Sequence, residues 1–146
     1  MDTETVGMVT LEPLDHGGMT LHWDEIEACV RQSVGADEVT VANALGALRR
    51  REMLAWAVWH GGKVGAVMLT RPMDDGYSGG RAMLIYGLHG AGVTLPMWKS
   101  AARQFEAACR TSGISKVMAH TTSDRVLEIA VELGWNTQTF CWKELD

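Results

Sequence analysis

The chain has few of the residues that staple small domains, with only three cysteines and three prolines in 146 residues. Cys29, Cys109 and Cys141 are odd in number, far apart and without a CxxC pair, which argues against a disulfide framework and fits buried thiols in a reducing, cytoplasmic compartment. No apolar run approaches the roughly 20 residues a membrane span needs. Met1 to Thr5 are acidic and polar, so neither a signal peptide nor an anchor is expected. Positive charge is scarce as well: 13 Lys and Arg face 18 Asp and Glu, a net charge of −5. Nonspecific duplex binding needs clustered cations, and the nearest cluster here is only Arg49-Arg50-Arg51, so no nucleic-acid partner is expected. His-x-x-x-His, Walker and Gly-x-Ser-x-Gly patterns are also missing, so the sequence offers no metal centre, P-loop or serine-hydrolase elbow.

What is present suits one globular domain over residues 1–146. The composition is 47% apolar and 21% charged, and at this length folding buries about 70% of the surface an unfolded chain exposes. Six Trp and nine Met against two Tyr and two Phe are an unusual balance.

Periodicity and punctuation divide the chain. Val6 to Leu11 reads as a strand closed by Pro13 and an Asp15-His16-Gly17-Gly18 turn. Trp23, Ile26, Val30 and Val34 share a helical face that ends at Gly35, and a second helix runs from Asp37 toward Arg51 with Gly46 in its middle, at a cost of about 1 kcal/mol relative to Ala. Leu54–Trp59 and Val64–Leu69 form a hairpin across His60-Gly61-Gly62-Lys63, whose glycines supply the positive φ angles of a tight turn. A polar loop over Arg71–Gly80 precedes a strand over Ala82–Leu88. Thr94 caps a helix with Pro96 in its first turn that stops at Gly113. Ile114–Ala119 is a strand, Ser123 or Asp124 caps a helix that ends at Gly134, and Thr137–Trp142 is a closing strand. The sum is a mixed α/β domain built around one sheet. Trp56 and Trp59 fall on opposite faces of their strand, so each face needs its own cover, from a helix or a partner protein.

The element order, and above all Ala82 to Trp142, resembles the GCN5-related N-acetyltransferase (GNAT) fold, in which acyl-CoA enters a V-shaped gap between the fourth and fifth strands. Leu133-Gly134-Trp135 looks like the Leu-Gly-Phe ending of the family's fourth helix. The resemblance implies an enzyme that transfers an acetyl group from acetyl-CoA to an amine, with acetyl-CoA as a substrate and no metal. It implies that the loop Gly90-Ala91-Gly92-Val93 presents amides to the CoA pyrophosphate at a helix N-terminus, with Ser123 where the family commonly has Asn.

Two departures accompany it. The family loop begins with Arg or Gln three residues before its first Gly, where this chain has Gly87. A Tyr four residues before the Gly of Leu-Gly-Phe is replaced by Ala130, so protonation of the departing thiolate falls to another side chain, with Tyr86 as a candidate, or to water. His89 and His120, at strand ends that the fold sets beside the cleft, are candidate bases because imidazole titrates nearest neutrality. His16 and His60 precede glycine in turns and read as solvated. A worn cofactor loop on a retained core also resembles the acetyltransferase-like internal virion proteins of T7-type bacteriophages. That resemblance implies a catalytically degenerate protein acting in the virion through protein contacts, either with copies of itself as a homo-oligomer or with phage structural proteins.

Overall fold

The computed structural model describes residues 8–34, 37–75, 79–90, 93–121, 124–138 and 141–145. In chain order its elements are β1 (Thr10–Pro13), α1 (His16–Leu21), α2 (Trp23–Val34), α3 (Glu38–Arg49), β2 (Leu54–His60), β3 (Lys63–Asp74), β4 (Arg81–His89), α4 (Leu95–Thr111), β5 (Lys116–Ala119) and α5 (Asp124–Glu132). The strands form one sheet in the order β1-β2-β3-β4-β5. The first three pairings are antiparallel and β4 with β5 is parallel. A parallel pair cannot be joined by a tight turn, and α4 is the crossover that joins this one.

Alternation along the strands divides the core into two faces. On one face Ala55, Ala57, Val67 and Leu69 meet Met19 of α1, Ile26, Cys29 and Val30 of α2, and Val41, Ala44 and Leu48 of α3. On the other, Trp56, Met68 and Met83 meet Phe105 and Cys109 of α4. Val58 and Ala66 meet Met97 and Ala101 of the same helix. Full burial of a side chain such as Leu48 or Phe105 contributes about 1.5–3 kcal/mol. Both faces of the strand are thus covered within the chain. Trp56 stacks edge-on to Phe105 at 5.4 Å, while Trp59, on the other face, stacks edge-on to His22 at 5.4 Å.

Local chemistry explains most boundaries. Asp37 caps α3 by accepting from Thr40 N–H at 3.3 Å and from its hydroxyl at 2.6 Å, and these bonds hold its carboxyl below the usual carboxylate range. Thr94 caps α4, accepting from Met97 N–H. Gly61 and Gly62 make the hairpin turn at φ +59° and +78°. Gly134 ends the last helix at φ +82°, with Trp135 N–H returning to Ala130 O at 2.9 Å.

Four expectations change. The Asp15-Gly18 turn is the start of α1, because Asp15 accepts from Gly18 N–H at 2.7 Å as an N-cap and Met19 is buried beneath the turn. The first strand lies at Thr10–Pro13 rather than Val6–Leu11, where Pro13 is tolerated because β1 is an edge strand. Val6 and Gly7 lie outside the described residues. The polar loop after β3 is shorter than expected. Pairing with β4 carries β3 to Asp74, and Pro72 is accommodated because β2 has already ended opposite Thr70. The closing strand does not form among the described residues. Thr137, Gln138, Cys141 and Trp142 are irregular and exposed, and Thr139 and Phe140 lie outside the described residues.

At the outer edge of β1, Gln104 of α4 takes the place of a further strand. Its Oε1 accepts from Leu11 N–H at 2.9 Å and its Nε2 donates to Val9 O at 2.8 Å. Among the described residues no helix is long and apolar enough to cross a membrane.

Candidate functional site

The opening in the sheet is built by two irregularities. Trp59 pairs with Val64 while Val58 pairs with Ala66, so Gly65 is an extra residue in β3. Ile85 pairs with Thr70 while Gly87 pairs with Leu69, so Tyr86 is an extra residue in β4. Such bulges bend a strand and increase its twist. The β4–β5 ladder runs Ala82–Lys116, Met83–Val117, Leu84–Met118, Ile85–Ala119 and stops there. The bend at Tyr86 therefore coincides with the point where β4 and β5 part, and among the described residues no strand pairs with that edge of β4 beyond Ile85.

The chain leaving β4 is drawn toward β3. A Cβ on Gly90 would stand 2.4 Å from Ala66 Cβ and 2.5 Å from Gly65 O, closer than any side chain permits. Val93 is buried and its Cγ2 would lie 3.3 Å from a Cβ on Gly65. Gly65, Ala66, Gly90 and Val93 thus pack closely, which seats both Gly90 and Val93 on β3. The N-terminal end of the 17-residue helix α4 follows directly from the seat, at Thr94 and Leu95. Its first-turn donors are partly committed: Met97 N–H goes to Thr94 Oγ1, Thr94 N–H goes to Met97 Sδ, and Pro96 has none. Aligned peptide dipoles give this end roughly half a positive charge.

The candidate residues separate by position. Tyr86 and His120 each follow the last paired residue of their strands, Ile85 and Ala119, so they flank the opening from its two sides. Both are exposed. His89 is three residues farther along β4, opposite Val67, and is turned to the α2 face, where its Nδ1 contacts Gln32 Oε1. Gly90 and Val93 make the seat just described, which gives each a packing reason for its identity. Ala91, Gly92 and Ser123 lie outside the described residues. Ala130 is half-buried on α5.

The sequence reading missed Gln32 and Ser33, which α2 brings against β4 together with the buried thiol of Cys29. A Cβ on Gly87 would sit 1.8 Å from Ser33 Oγ and 3.5 Å from Cys29 Sγ, so the missing side chain is what lets the helix approach. Cys29 Sγ donates to Val67 O at 3.8 Å, and burial pushes its thiol up to about 11. A glycine inside an apolar strand is the one sequence signal that marks such an approach.

Two open surface clefts lie elsewhere. One of about 430 Å³ is lined by Met8, Thr10, Trp59 and His60, and another of about 410 Å³ by His16, Met19, Trp23 and Arg49. Neither includes a residue of β4 or β5.

No family model matches the sequence, and no curated protein matches it. Solved structures do match its shape. A ribosomal-protein-alanine N-acetyltransferase from Brucella melitensis superposes with a TM-score of 0.70 at 10% identity, covering 95% of this chain and 99% of that one. A predicted acetyltransferase from Clostridium acetobutylicum, solved with acetyl-CoA, gives 0.67 at 13% identity over 95% and 96%. A GNAT family acetyltransferase from Staphylococcus aureus gives 0.62 at 7% identity over 94% and 98%. The chain has the GNAT acetyltransferase fold. The end of the β4–β5 ladder after Ile85 and Ala119, beside the Tyr86 bulge, falls between the two strands where the GNAT resemblance implies a gap.

Proposed function

We propose that this protein is an N-acetyltransferase that moves the acetyl group of acetyl-CoA to an amine in the gap between β4 and β5. The observation that carries the reading is the end of the ladder at Ile85 and Ala119, with Tyr86 and His120 the next residues on its two strands and α4 beginning at Leu95, soon after the chain leaves β4. An unpaired strand edge hydrogen-bonds an extended amide-bearing ligand such as the pantetheine arm. A helix N-terminus favours the pyrophosphate.

In the proposed reaction the neutral amine nitrogen attacks the thioester carbonyl carbon. An N–C bond forms, the C–S bond breaks with its electron pair on sulfur, and the surplus proton on nitrogen passes to His89 or His120. The thiolate takes a proton from Tyr86, which regains one from solvent, and the base returns its proton to solvent. The products are the acetylated amine and CoA with a free thiol. Tyr86 is given this role because the family's Tyr position is Ala130 here.

Thermal shift with acetyl-CoA tests the reading. A ligand at 100 times its Kd stabilises a protein by about 2.7 kcal/mol, and no shift at millimolar acetyl-CoA would sink it.

A second reading, a non-catalytic protein of the same fold working through protein contacts, is favoured by one observation. Helix α5 has no buried residue, and Leu127 and Val131 on it, together with Trp142 and Leu145, are exposed. Leu127 and Val131 are four residues apart and so share one face of α5, and a contiguous exposed apolar face marks a contact site. A stable oligomer or partner complex is expected on that reading, and a monomer by light scattering that also cleaves the thioester would exclude it.

A further inference from the structure

We propose that Gln32 is a positioning residue that holds His89 with its proton on Nδ1, leaving Nε2 as the ring's acceptor for a proton from the amine. The inference rests on the acetyl-transfer reading and adds to it a choice between the two histidines and a residue that neither sequence pattern nor resemblance indicates.

Three observations converge. First, Gln32 Oε1 is the atom that meets His89 Nδ1. A carboxamide oxygen accepts and cannot donate, so the bond requires the hydrogen on Nδ1. In a neutral imidazole the other nitrogen then carries the lone pair, and the partner of one nitrogen decides what the other can do. Second, the contact is built by backbone packing. Gly87 and His89 lie two residues apart on one face of β4, and the absent Cβ of Gly87 admits Ser33 and Cys29. That close approach carries the neighbouring Gln32 to His89. Third, His89 stands beyond Ile85, on the part of β4 that has left β5. A base there lies along the opening and is anchored to α2 across 57 residues of sequence.

Long-range proton–nitrogen NMR of uniformly 15N-labelled protein, at a pH where the imidazoles are neutral, tests the assignment. In the wild type His89 is expected to show a protonated-type Nδ1 and an unprotonated-type Nε2. Gln32→Glu keeps an acceptor oxygen at that place and should preserve the pattern. Gln32→Leu should revert to the Nε2–H form that predominates in free histidine. Gln32 is exposed, so both variants should fold. In acetyl transfer to a panel of amines, Gln32→Leu should lower kcat by about 10- to 100-fold, the usual reach of a residue that orients another. The KM for acetyl-CoA should not move, and Gln32→Glu should recover most of the loss. A protonated-type Nε2 in the wild type, or a Gln32→Leu tautomer identical to it, overturns the proposal even if the enzyme is active. An unchanged kcat in Gln32→Leu overturns the base role of His89. A wild type with the expected tautomer that acetylates no amine overturns the acetyl-transfer reading and the base role, and leaves the Gln32–His89 lock standing.

Discussion

The indole Nε1–H of Trp56 donates to the hydroxyl oxygen of Thr70 at 2.8 Å, within the face of the sheet that α4 covers. Thr70 is the one buried residue of polar type among those described, and the bond satisfies both partners where water cannot reach them. Thr70 is also the residue opposite Ile85, the last paired position before β4 leaves β5. A polar anchor therefore fixes the sheet beside the point where it opens.

Replacing Thr70 with Val keeps the shape and leaves the indole N–H unpaired, which costs about 1–3 kcal/mol. The urea midpoint of Thr70→Val should fall accordingly, while Thr70→Ser should keep most of the stability. Equal loss in both variants would mean that packing of the methyl, not the hydrogen bond, matters there.

Gly90 serves the seat on β3. Gly90→Ala would force Ala66 and the Gly65 carbonyl to move, and overpacking of this kind costs about 1–3 kcal/mol. A lowered Tm is expected in the absence of any ligand. An unchanged Tm with weakened acetyl-CoA binding would instead make Gly90 a ligand-contacting glycine alone.

Arg51 adopts φ +63° after the end of α3 and its Nη1 donates to Leu14 O at 2.8 Å. The left-handed conformation costs a side-chain-bearing residue about 1–2 kcal/mol, and the charged hydrogen bond offsets it. Arg51→Ala loses the bond and keeps the strain, whereas Arg51→Gly loses the bond and relieves the strain. The Gly variant should therefore be the more stable of the two by about 1 kcal/mol in chemical denaturation.

The three thiols should differ in reactivity. Burial pushes Cys29 and Cys109 up to about 11, and both are inside the core while Cys141 is exposed. Iodoacetamide at pH 8 should modify one cysteine rapidly, Cys141, as read by peptide mass spectrometry. The same shift sets a pH dependence. A thiol raised by folding is protonated in both states below about pH 9, so its contribution is intact there. Stability then falls as the unfolded thiol ionises between about pH 9 and 11, at about 1.4 kcal/mol per pH unit for each such group. Cys29→Ala should flatten that part of the curve.

Tyr86→Phe removes the proposed donor to the thiolate without changing the bulge. General acids of this kind contribute about 10²–10⁴ in rate, so kcat should fall by at least about 10²-fold while the acetyl-CoA thermal shift is retained. An unchanged kcat would hand protonation of the thiolate to solvent.

The sequence by itself determined most of the elements and their order, though not the α1 helix, which reads as a turn, nor the bounds of the first strand. The spacing of Trp23, Ile26 and Val30, the Gly61-Gly62 turn, the Thr94 cap and the Gly134 stop are local signals, and each acts over a few residues. It also determined that Trp56 and Trp59 face opposite ways, though not that helices of the same chain cover both. Only the tertiary structure decided where the sheet opens. The β4–β5 ladder ends at Ile85 and Ala119, next to the extra residue Tyr86, while Gly65 is an extra residue in β3 and Gly90 packs against it. Only the tertiary structure brought Gln32 to His89 and Gln104 to Val9 and Leu11, across 57, 95 and 93 residues. No local period records such contacts, because they are fixed by how closely one element packs on another. Here that closeness is set by glycines whose missing Cβ becomes meaningful once the opposing side chain is known.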